Sequence, residues 1–369
     1  DDLIKEGRDY RKIVFEEVLI SSSGYKDYLK DIANKRLQGV NCFFENGFTD
    51  ITNFLGSKEN LEVEGKKIVN DNGDRIFKAY KIDDEKDKSL LRCEDNPLLQ
   101  VMNCLWHNRK RGTSEEINQA MKEFLTGEKT KGATKYKNDY TNKYKLSLVF
   151  VLCTIYKKKK SFYSFNTFAF LSSGIVGHFI ELCRRSFQYA EFESKGKLLE
   201  NGVITPQLQN NAARDLATSE LQQSRRIEEH GNLLYMFTYN LGNIFRAYHK
   251  DIDIKYPETN QFYTDQTMLD GNIKGAFEAA QRWSLIQKKP NPQQKSIGEQ
   301  QGDIFTLNRV FAPIFGTSYR TRGGYSVGFT KDEIELLMTE TDKVAPKIHK
   351  SKNSESDKSE ENGQQELDF

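Results

Sequence analysis

The chain has 369 residues, of which 37% are hydrophobic and 29% charged, and its formal net charge is only +2. A charge this close to zero excludes a chain-wide basic field, so any contact with nucleic acid must come from local clusters of Lys and Arg. The longest apolar run, residues 146–155, is much shorter than the roughly 18 residues of a membrane-spanning helix, and no membrane partner is expected.

The first predicted elements are helical and lie within residues 1–40. Residues 25–37 place Tyr25, Leu29 and Ala33 on one stripe, with lysine and aspartate opposite, as expected of a helix that packs on one side. Gly39 is the expected end of this helix, because glycine often follows the last helical residue.

Residues 58–82 are predicted to form a pair of strands. Asn72-Gly73 is a favoured turn in β-hairpins, and apolar and polar side chains alternate in the residues that follow it. Because residues 83–88 are dense in charge, we expect them to form a loop at a domain boundary.

Residues 95–191 are predicted to be mostly helical. Apolar periodicity and capping residues indicate helices at 96–106, at 114–125 with Ser114 as a possible cap, at 146–156, and after a Ser-Ser-Gly break at 172–174. The lysine-rich run 127–145 is predicted to be a loop, and residues 157–160 are predicted to be the solvated end of the helix before them.

Two long helices are predicted next. Thr205-Pro206 begins the first, over 207–230, because proline suits an early helical position. Gly231 is expected to break it before the second helix, over 232–250. Residues 251–262 contain a proline and are predicted to be a connector.

Residues 263–340 are predicted to form a winged-helix domain. Its expected order is a helix at 271–282, a short strand at 283–287, an irregular segment at 288–301, a helix at 304–315 and a β-hairpin of strands 317–321 and 325–330. Gly323-Gly324 is the predicted hairpin turn, because both turn residues need positive φ. Thr330 is expected to cap a last helix that reaches Met338, and the polar tail from residue 346 is predicted to be disordered.

No complete active site emerges from the residue chemistry. Gly127 to Thr134 has the glycine spacing of a phosphate-binding loop, but Ala133 stands where the lysine is required, and a predicted helix precedes it instead of a strand. Asp251 and Asp253 could share a divalent ion, yet no third ligand is evident. The five histidines show no H-E-x-x-H spacing, and the five cysteines form no C-x-x-C pair. We therefore predict no catalytic, cofactor-binding or metal-binding residue, and a reduced, cytoplasmic setting.

Basic residues around the predicted wing are the strongest indication of function. Arginines on a wing can enter the minor groove or meet phosphates, and polar residues on the helix before it can reach base edges. The predicted DNA-contacting residues are Thr306, Asn308, Arg309, Arg320, Arg322, Lys288 and Lys289, with Lys295 on the same surface. Winged helices also serve as protein-contact modules, so a protein partner is the alternative.

Four segments carry a family resemblance: residues 164–193, 204–231, 239–262 and 303–326. In their order along the chain and in their residue sequence, they resemble the C-terminal lid and winged helix of bacterial ATPases similar to the origin-recognition branch of the AAA+ superfamily. The resemblance implies a parent protein that binds ATP and Mg²⁺ through an N-terminal P-loop module. It also implies that this chain is a fragment without that module, which agrees with a start at Asp1 and no Met.

One position departs from the pattern of the relatives. The relatives carry an arginine soon after a glycine of the lid, where it can touch the γ-phosphate. In this chain the matching segment begins at Gly174, and Gly177 stands at about the position of that arginine. Arg184 and Arg185 come two turns later and are poor substitutes by spacing. We therefore expect a parent protein that hydrolyses ATP slowly or uses the nucleotide as a structural switch.

The predicted fold is mainly α, with a helical lid-type bundle, an α+β winged-helix domain and a small β-hairpin near the N-terminal region. The expected domains are an ATPase-core-like remnant at 1–90, a lid-like domain at 91–200, connecting helices at 201–262, the winged helix at 263–345 and the tail at 346–369. The predicted function is DNA contact under nucleotide control of the missing module. The alternative is a non-enzymatic interaction or sensor module, of the kind found in phage defence, with protein subunits or a second copy of the chain as partner.

Overall fold

The structure is a computed structural model. It describes residues 23–194, 202–289, 303–320, 325–341 and 343–352. The chain separates into two compact units, each built from two stretches. Unit 1 comprises residues 1–59 and 162–217, and unit 2 comprises residues 60–161 and 218–369.

Helices make up most of the described chain, which confirms the predicted mainly α class. The first ten helices are α1 (Ser23–Gln38), α2 (Asn41–Glu45), α3 (Ile51–Leu55), α4 (Leu61–Ile68), α5 (Asp74–Ala79), α6 (Glu85–Leu91), α7 (Pro97–Asn108), α8 (Ser114–Thr126), α9 (Lys131–Lys137) and α10 (Lys145–Ile155). The others are α11 (Phe165–Leu171), α12 (Val176–Ser194), α13 (Pro206–Ser224), α14 (Gly231–His249), α15 (Gly271–Arg282), α16 (Ala312–Phe315), α17 (Lys331–Thr339) and α18 (344–352). The strands are β1 (Gln261–Thr264), β2 (Ile286–Lys289), β3 (Asp303–Leu307) and β4 (Val327–Gly328).

Among the described residues of unit 1, the regular elements are all helices. In α1 the predicted stripe is buried, and the Tyr25 hydroxyl shares a hydrogen bond of 2.8 Å with Ser172 Oγ. The buried amide of Gln209 links the end of α3 to the segment before α13. It donates to the carbonyls of Leu55 and Ile204 at 3.1 and 2.7 Å. The predicted break before α12 is confirmed by Gly174, whose φ is 83°.

The strand pair predicted at 58–82 is wrong, because this stretch forms α4 and α5. The Asn60 side chain accepts the N–H of Val63 and caps α4, which buries Leu61 and Ile68 on one face. Gly73 does have a left-handed φ of 86°, but it begins α5 instead of turning a hairpin. Its carbonyl accepts a hydrogen bond of 3.0 Å from the buried Gln100 amide, a contact that the local sequence did not reveal.

Two predicted loops in unit 2 are also helical. Residues 83–88 mostly belong to α6, which Asp84 caps through the N–H of Asp87. The lysine-rich run forms α9 and a π-helical segment, Asn138–Tyr144. Ala133 and Tyr136 of α9 are buried. The cap of α8 is Thr113, one residue before the expected Ser114.

The sheet of unit 2 has the strand order β2-β3-β1-β4. The β2–β3 and β3–β1 pairs are antiparallel, whereas β4 pairs with β1 in parallel. Phe262 of β1 is fully buried among other aromatic rings. Those rings, at centroid distances of 5.4 to 6.4 Å, are Phe237, Phe277, Phe305 and Phe329.

The hairpin predicted at 317–330 is wrong where the structure describes it. Residues 317–320 are irregular, with bends at 319 and 320, and are held by the buried Asn260 amide, which donates to the carbonyls of Ser318 and Arg320 at 3.1 and 2.6 Å. The second predicted arm pairs with β1 through Val327, which lies opposite Phe262. The predicted turn at Gly323-Gly324 lies outside the described residues.

The helix predicted at 304–315 is wrong in its first half, which is β3. Phe305, Thr306 and Leu307 are all buried, because β3 lies between β2 and β1 and is covered on both faces. Such a strand reads as a short apolar run, which periodicity alone does not distinguish from a buried helix. Only Ala312–Phe315 is α-helical, after a 3₁₀ turn at Arg309–Phe311.

Several element ends differ from the predictions. The helix begun by Pro206 stops at Ser224 instead of residue 230, and the strand predicted at 283–287 is Ile286–Lys289. The tail predicted to be disordered from residue 346 is helical as far as residue 352, because Ala345 and Ile348 are buried and Lys352 pairs with Glu333 at 2.9 Å. The later part of the tail lies outside the described residues.

Candidate nucleic-acid interface

Helix α15 presents one apolar and one polar face. Ala276, Phe277 and Ala280 are buried against the rest of unit 2. The opposite face exposes Lys274, Glu278 and Arg282, which follow one another at intervals of four residues and therefore lie on one side of the helix. Neither Lys274 nor Arg282 forms an ion pair with any residue that the structure describes.

Polar contacts connect α15 with the β2–β3 pair. The Gln281 amide donates to Gln266 Oε1 at 3.3 Å, and the Gln266 amide donates to the Asp303 carboxylate. Asp303 also pairs with Lys288 of β2 at 2.8 Å. Through these contacts, the second half of α15 is linked to the start of β3 and the end of β2.

Lys289 is a partly buried lysine at the end of β2. Partial burial, with a smaller contribution from the positive charge of Arg309, lowers the pKa of Lys289 to about 8. Lys289 therefore stays mostly protonated at neutral pH and can still contact a phosphate.

The other predicted contact residues have different surroundings. Thr306 and Asn308 are buried, so neither has access to a base edge. The Asn308 amide donates to the carbonyl of Ser284 at 2.7 Å, and its oxygen accepts the N–H of Val310 at 3.0 Å, so this side chain caps the 3₁₀ turn. The guanidinium of Arg320 lies 5.8 Å from the Tyr319 ring centroid. Arg322 and Lys295 lie outside the described residues.

Trp283 is a surface feature that sequence reasoning missed. It directly follows α15 and is 60% exposed, and nearby in the chain Met268 is 64% exposed. Trp283 was predicted to begin the strand at 283–287, whereas the strand begins at Ile286. Its position after Arg282, at the end of an amphipathic helix, was the only available signal that it lies at a surface.

Ser318, His249 and Glu258 lie together in unit 2, and these are the residue types of a hydrolytic triad. Their hydrogen bonds exclude that chemistry. The Ser318 hydroxyl donates to the Glu258 carboxylate at 2.8 Å, whereas His249 Nε2 accepts the backbone N–H of Ser318 at 2.9 Å. Nδ1 of His249 donates to the carbonyl of Phe245 at 2.7 Å. All three residues are buried, and the cluster attaches the 318 segment to the end of α14.

This histidine predicts a pH dependence of stability. Burial lowers the pKa of His249 to about 4, below the value of about 6.5 in an unfolded chain. Between these values the unfolded state binds the additional proton, so the free energy of unfolding should fall as the pH is lowered from about 6.5 to 4. His249→Gln removes this titrating group. In urea titrations across this range, the slope of the unfolding free energy against pH should therefore decrease by up to about 1.4 kcal/mol per pH unit, the contribution of one proton. An unchanged slope in the variant would contradict this assignment.

The described residues do not fit a nucleotide or metal site. Gly127 has a φ of 80° and ends α8, and Thr130 caps α9, so the phosphate-loop-like spacing joins two helices and follows no strand. Within the described ranges, no group of three His, Cys, Asp or Glu side chains could hold a metal ion. The Asp251 carboxylate accepts the N–H groups of Asp253 and Lys255, which makes it a turn-forming residue. Among the helices that the structure describes, none combines the length and the apolar character needed to cross a membrane.

Three comparisons with known proteins bear on identity. A search of curated proteins and a search of solved structures each gave no match. The family model described as ORC-CDC6-like matches residues 1–327, which extends well beyond the segments that carried the resemblance in the sequence. This places the chain among proteins related to the AAA+ ATPases of origin recognition, a group associated in general with nucleic acid and with oligomeric assembly. The chain belongs to the ORC-CDC6-like family.

Proposed function

We propose that α14, β1, α15, β2 and β3 form a winged-helix module that binds duplex DNA, with α15 as the helix that enters the major groove. The order of helix, strand, helix and two-stranded hairpin supports this proposal, as does the strand order β2-β3-β1. A 3₁₀ turn at Gln266–Met268 precedes α15, as a short element precedes the recognition helix in helix-turn-helix proteins. The proposed module begins earlier in the chain than the sequence had indicated.

The observation that carries the proposal is the exposed basic face of α15 beside the paired strands. Lys274 and Arg282 are available to phosphates, because neither forms an ion pair with a described acidic side chain, even though Glu278 lies between them. Lys289, at the end of β2, is a further candidate phosphate contact. Of the contact residues predicted from sequence, the proposal retains Lys288, Lys289, Arg309 and Arg320, and it omits Thr306 and Asn308 because they are buried.

A second candidate function is docking of a protein partner. The exposed side chains of Trp283 and Met268 favour it, because large apolar side chains on a surface are typical of interface anchors. Trp283 lies on the same side of the module as the end of α15. The two functions therefore make different predictions for variants of Trp283 and of Lys274.

We also propose that DNA binding is controlled by nucleotide through an ATP-binding module of the parent protein. This proposal rests on the family alone, since no described residue forms a phosphate-binding loop. The chain's own residues would supply the DNA-contacting surface, and ATP would bind elsewhere in the parent protein.

DNA binding is tested with the double variant Lys274→Ala/Arg282→Ala. Each phosphate contact contributes about 0.9 to the slope of log affinity against log salt, so losing two should reduce the slope by roughly 2. The measurement is fluorescence anisotropy of a labelled duplex between 50 and 200 mM salt, concentrations chosen as about the range where such losses are large. Lys78→Ala, an exposed lysine of α5, is the control and should leave the slope unchanged. An unchanged slope in the double variant would remove α15 as the contact surface.

A further inference from the structure

A line of cations runs along one side of α9 and the π-helical segment that follows it. Lys131, Lys135 and Lys143 are exposed and fall at multiples of four residues, with Asp139 at the position between the last two. Arg111, from the loop between α7 and α8, pairs with the carboxylate of Asp139 and thus lies beside the line. We call Lys131, Lys135, Arg111 and Lys143 the basic stripe.

The buried Asp139 fixes the geometry of the stripe. Its side chain is 2% exposed, and its two oxygens accept from Arg111 and Lys143, the latter at 2.9 Å. One carboxylate shared by two cations leaves a net positive charge at the surface. The π-helical turn brings Asp139 and Lys143 onto one face, and such irregular turns occur frequently at functional sites.

Lys135 lies beside an aromatic ring instead of an acid. The Lys135 ammonium lies 5.7 Å from the Trp106 ring centroid, and Trp106 in turn packs edge-on against Tyr136. Neither Lys131 nor Lys135 forms an ion pair among the described residues. The nearest acid on α8, Glu123, is hydrogen-bonded to Thr130 and Gln119.

We propose that the basic stripe is a second DNA-binding surface of unit 2, which contacts the phosphate backbone without reading base sequence. From Lys131 to Lys143 the helix rises by roughly 18 Å, at about 1.5 Å per residue, which is comparable to about half a turn of duplex DNA. Arg111, the only planar cation of the four, is engaged by Asp139, and the three lysine ammonium groups are point charges. It therefore matches the repeated charge of a phosphate backbone better than it matches base edges.

The stripe is tested with Lys131→Ala/Lys135→Ala, by anisotropy of two labelled duplexes of unrelated sequence across the same salt range. The slope of log affinity against log salt should fall by roughly 2, equally for both duplexes. The control is Lys67→Ala/Lys78→Ala, which removes two exposed lysines of α4 and α5. Helical circular dichroism should be unchanged in both double variants, because every substituted side chain is exposed.

The outcomes separate this proposal from that for α15. If only the α15 variant lowers the slope, the stripe does not bind DNA and its assignment fails. If only the stripe variant lowers it, the stripe is the DNA-contacting surface and the winged-helix proposal fails. If the stripe variant leaves DNA binding intact but abolishes binding of polyglutamate, the surface fits an acidic protein partner, and the DNA assignment is overturned.

Discussion

Replacing Glu64 with alanine is expected to lower the free energy of unfolding by about 3–5 kcal/mol, because it leaves a buried lysine without its countercharge. The Lys160 ammonium lies 2.8 Å from Glu64 Oε2, and the two side chains are 0% and 8% exposed. The same ammonium donates to the carbonyl of Ser161 at 2.7 Å, and the N–H of Ser161 donates to Glu64 Oε1 at 2.7 Å. The prediction that residues 157–160 are a solvated helix end is therefore wrong at Lys160.

A matched control lies two residues earlier on the same helix. Glu62 pairs with Lys145 at 2.7 Å, but these side chains are 42% and 29% exposed, so water already solvates both charges. Glu62→Ala should cost less than about 1 kcal/mol in the same urea titration. Glu64→Gln should fall between the two, since an amide oxygen can still accept the N–H of Ser161. Equal losses for Glu62→Ala and Glu64→Ala would contradict the buried pair.

Phe262→Ala is expected to cost about 3–5 kcal/mol, because it opens a cavity at the centre of the sheet of unit 2. The ring lies 5.4 Å from Phe305 and 5.6 Å from Phe329, and its backbone lies between β3 and β4. The neighbouring rings belong to several elements, so they are not expected to collapse fully into the space.

Chemical denaturation followed by circular dichroism measures this loss. Met268→Ala, which removes a side chain that is 64% exposed, should change stability by no more than about 0.5 kcal/mol. A cost below about 1 kcal/mol for Phe262→Ala would show that β1 is not the centre of the sheet. Phe262→Leu should cost less than Phe262→Ala, because more of the volume is retained.

Helices with clear caps and a periodic apolar face were predictable from sequence. Residues 271–282 were predicted correctly to the residue, and the last helix begins after Thr330 with the predicted capping arrangement, in which Thr330 and Glu333 each accept the other's N–H. Both features depend on residues within one or two turns of each other. Lys288 and Lys289, which were predicted to lie in an irregular segment, instead end the strand β2.

The predicted hairpin turns at Gly73 and at Gly323-Gly324 illustrate the opposite case. A glycine signal reports that the chain reverses or changes direction, but it does not report which segment will lie alongside. At Gly73 the partner is Gln100 of α7, and at 325–330 the partner strand is β1, more than sixty residues earlier in the chain. Both hairpins were predicted because the flanking segments were assumed to pair with each other.

By itself the sequence determined the helical class, the major capped helices and the resemblance to the origin-recognition ATPases, because these depend on local periodicity and on ordered segments of residues. Tertiary structure decided which strand each segment joins, that Thr306 and Asn308 are buried, and that Lys160 and Asp139 are enclosed with partners distant in the chain. The physical reason is that burial and pairing depend on neighbours supplied by remote segments. The local sequence of a lysine at a solvated helix end does not differ from that of a buried lysine such as Lys160. The difference is the carboxylate partner, which a remote segment supplies.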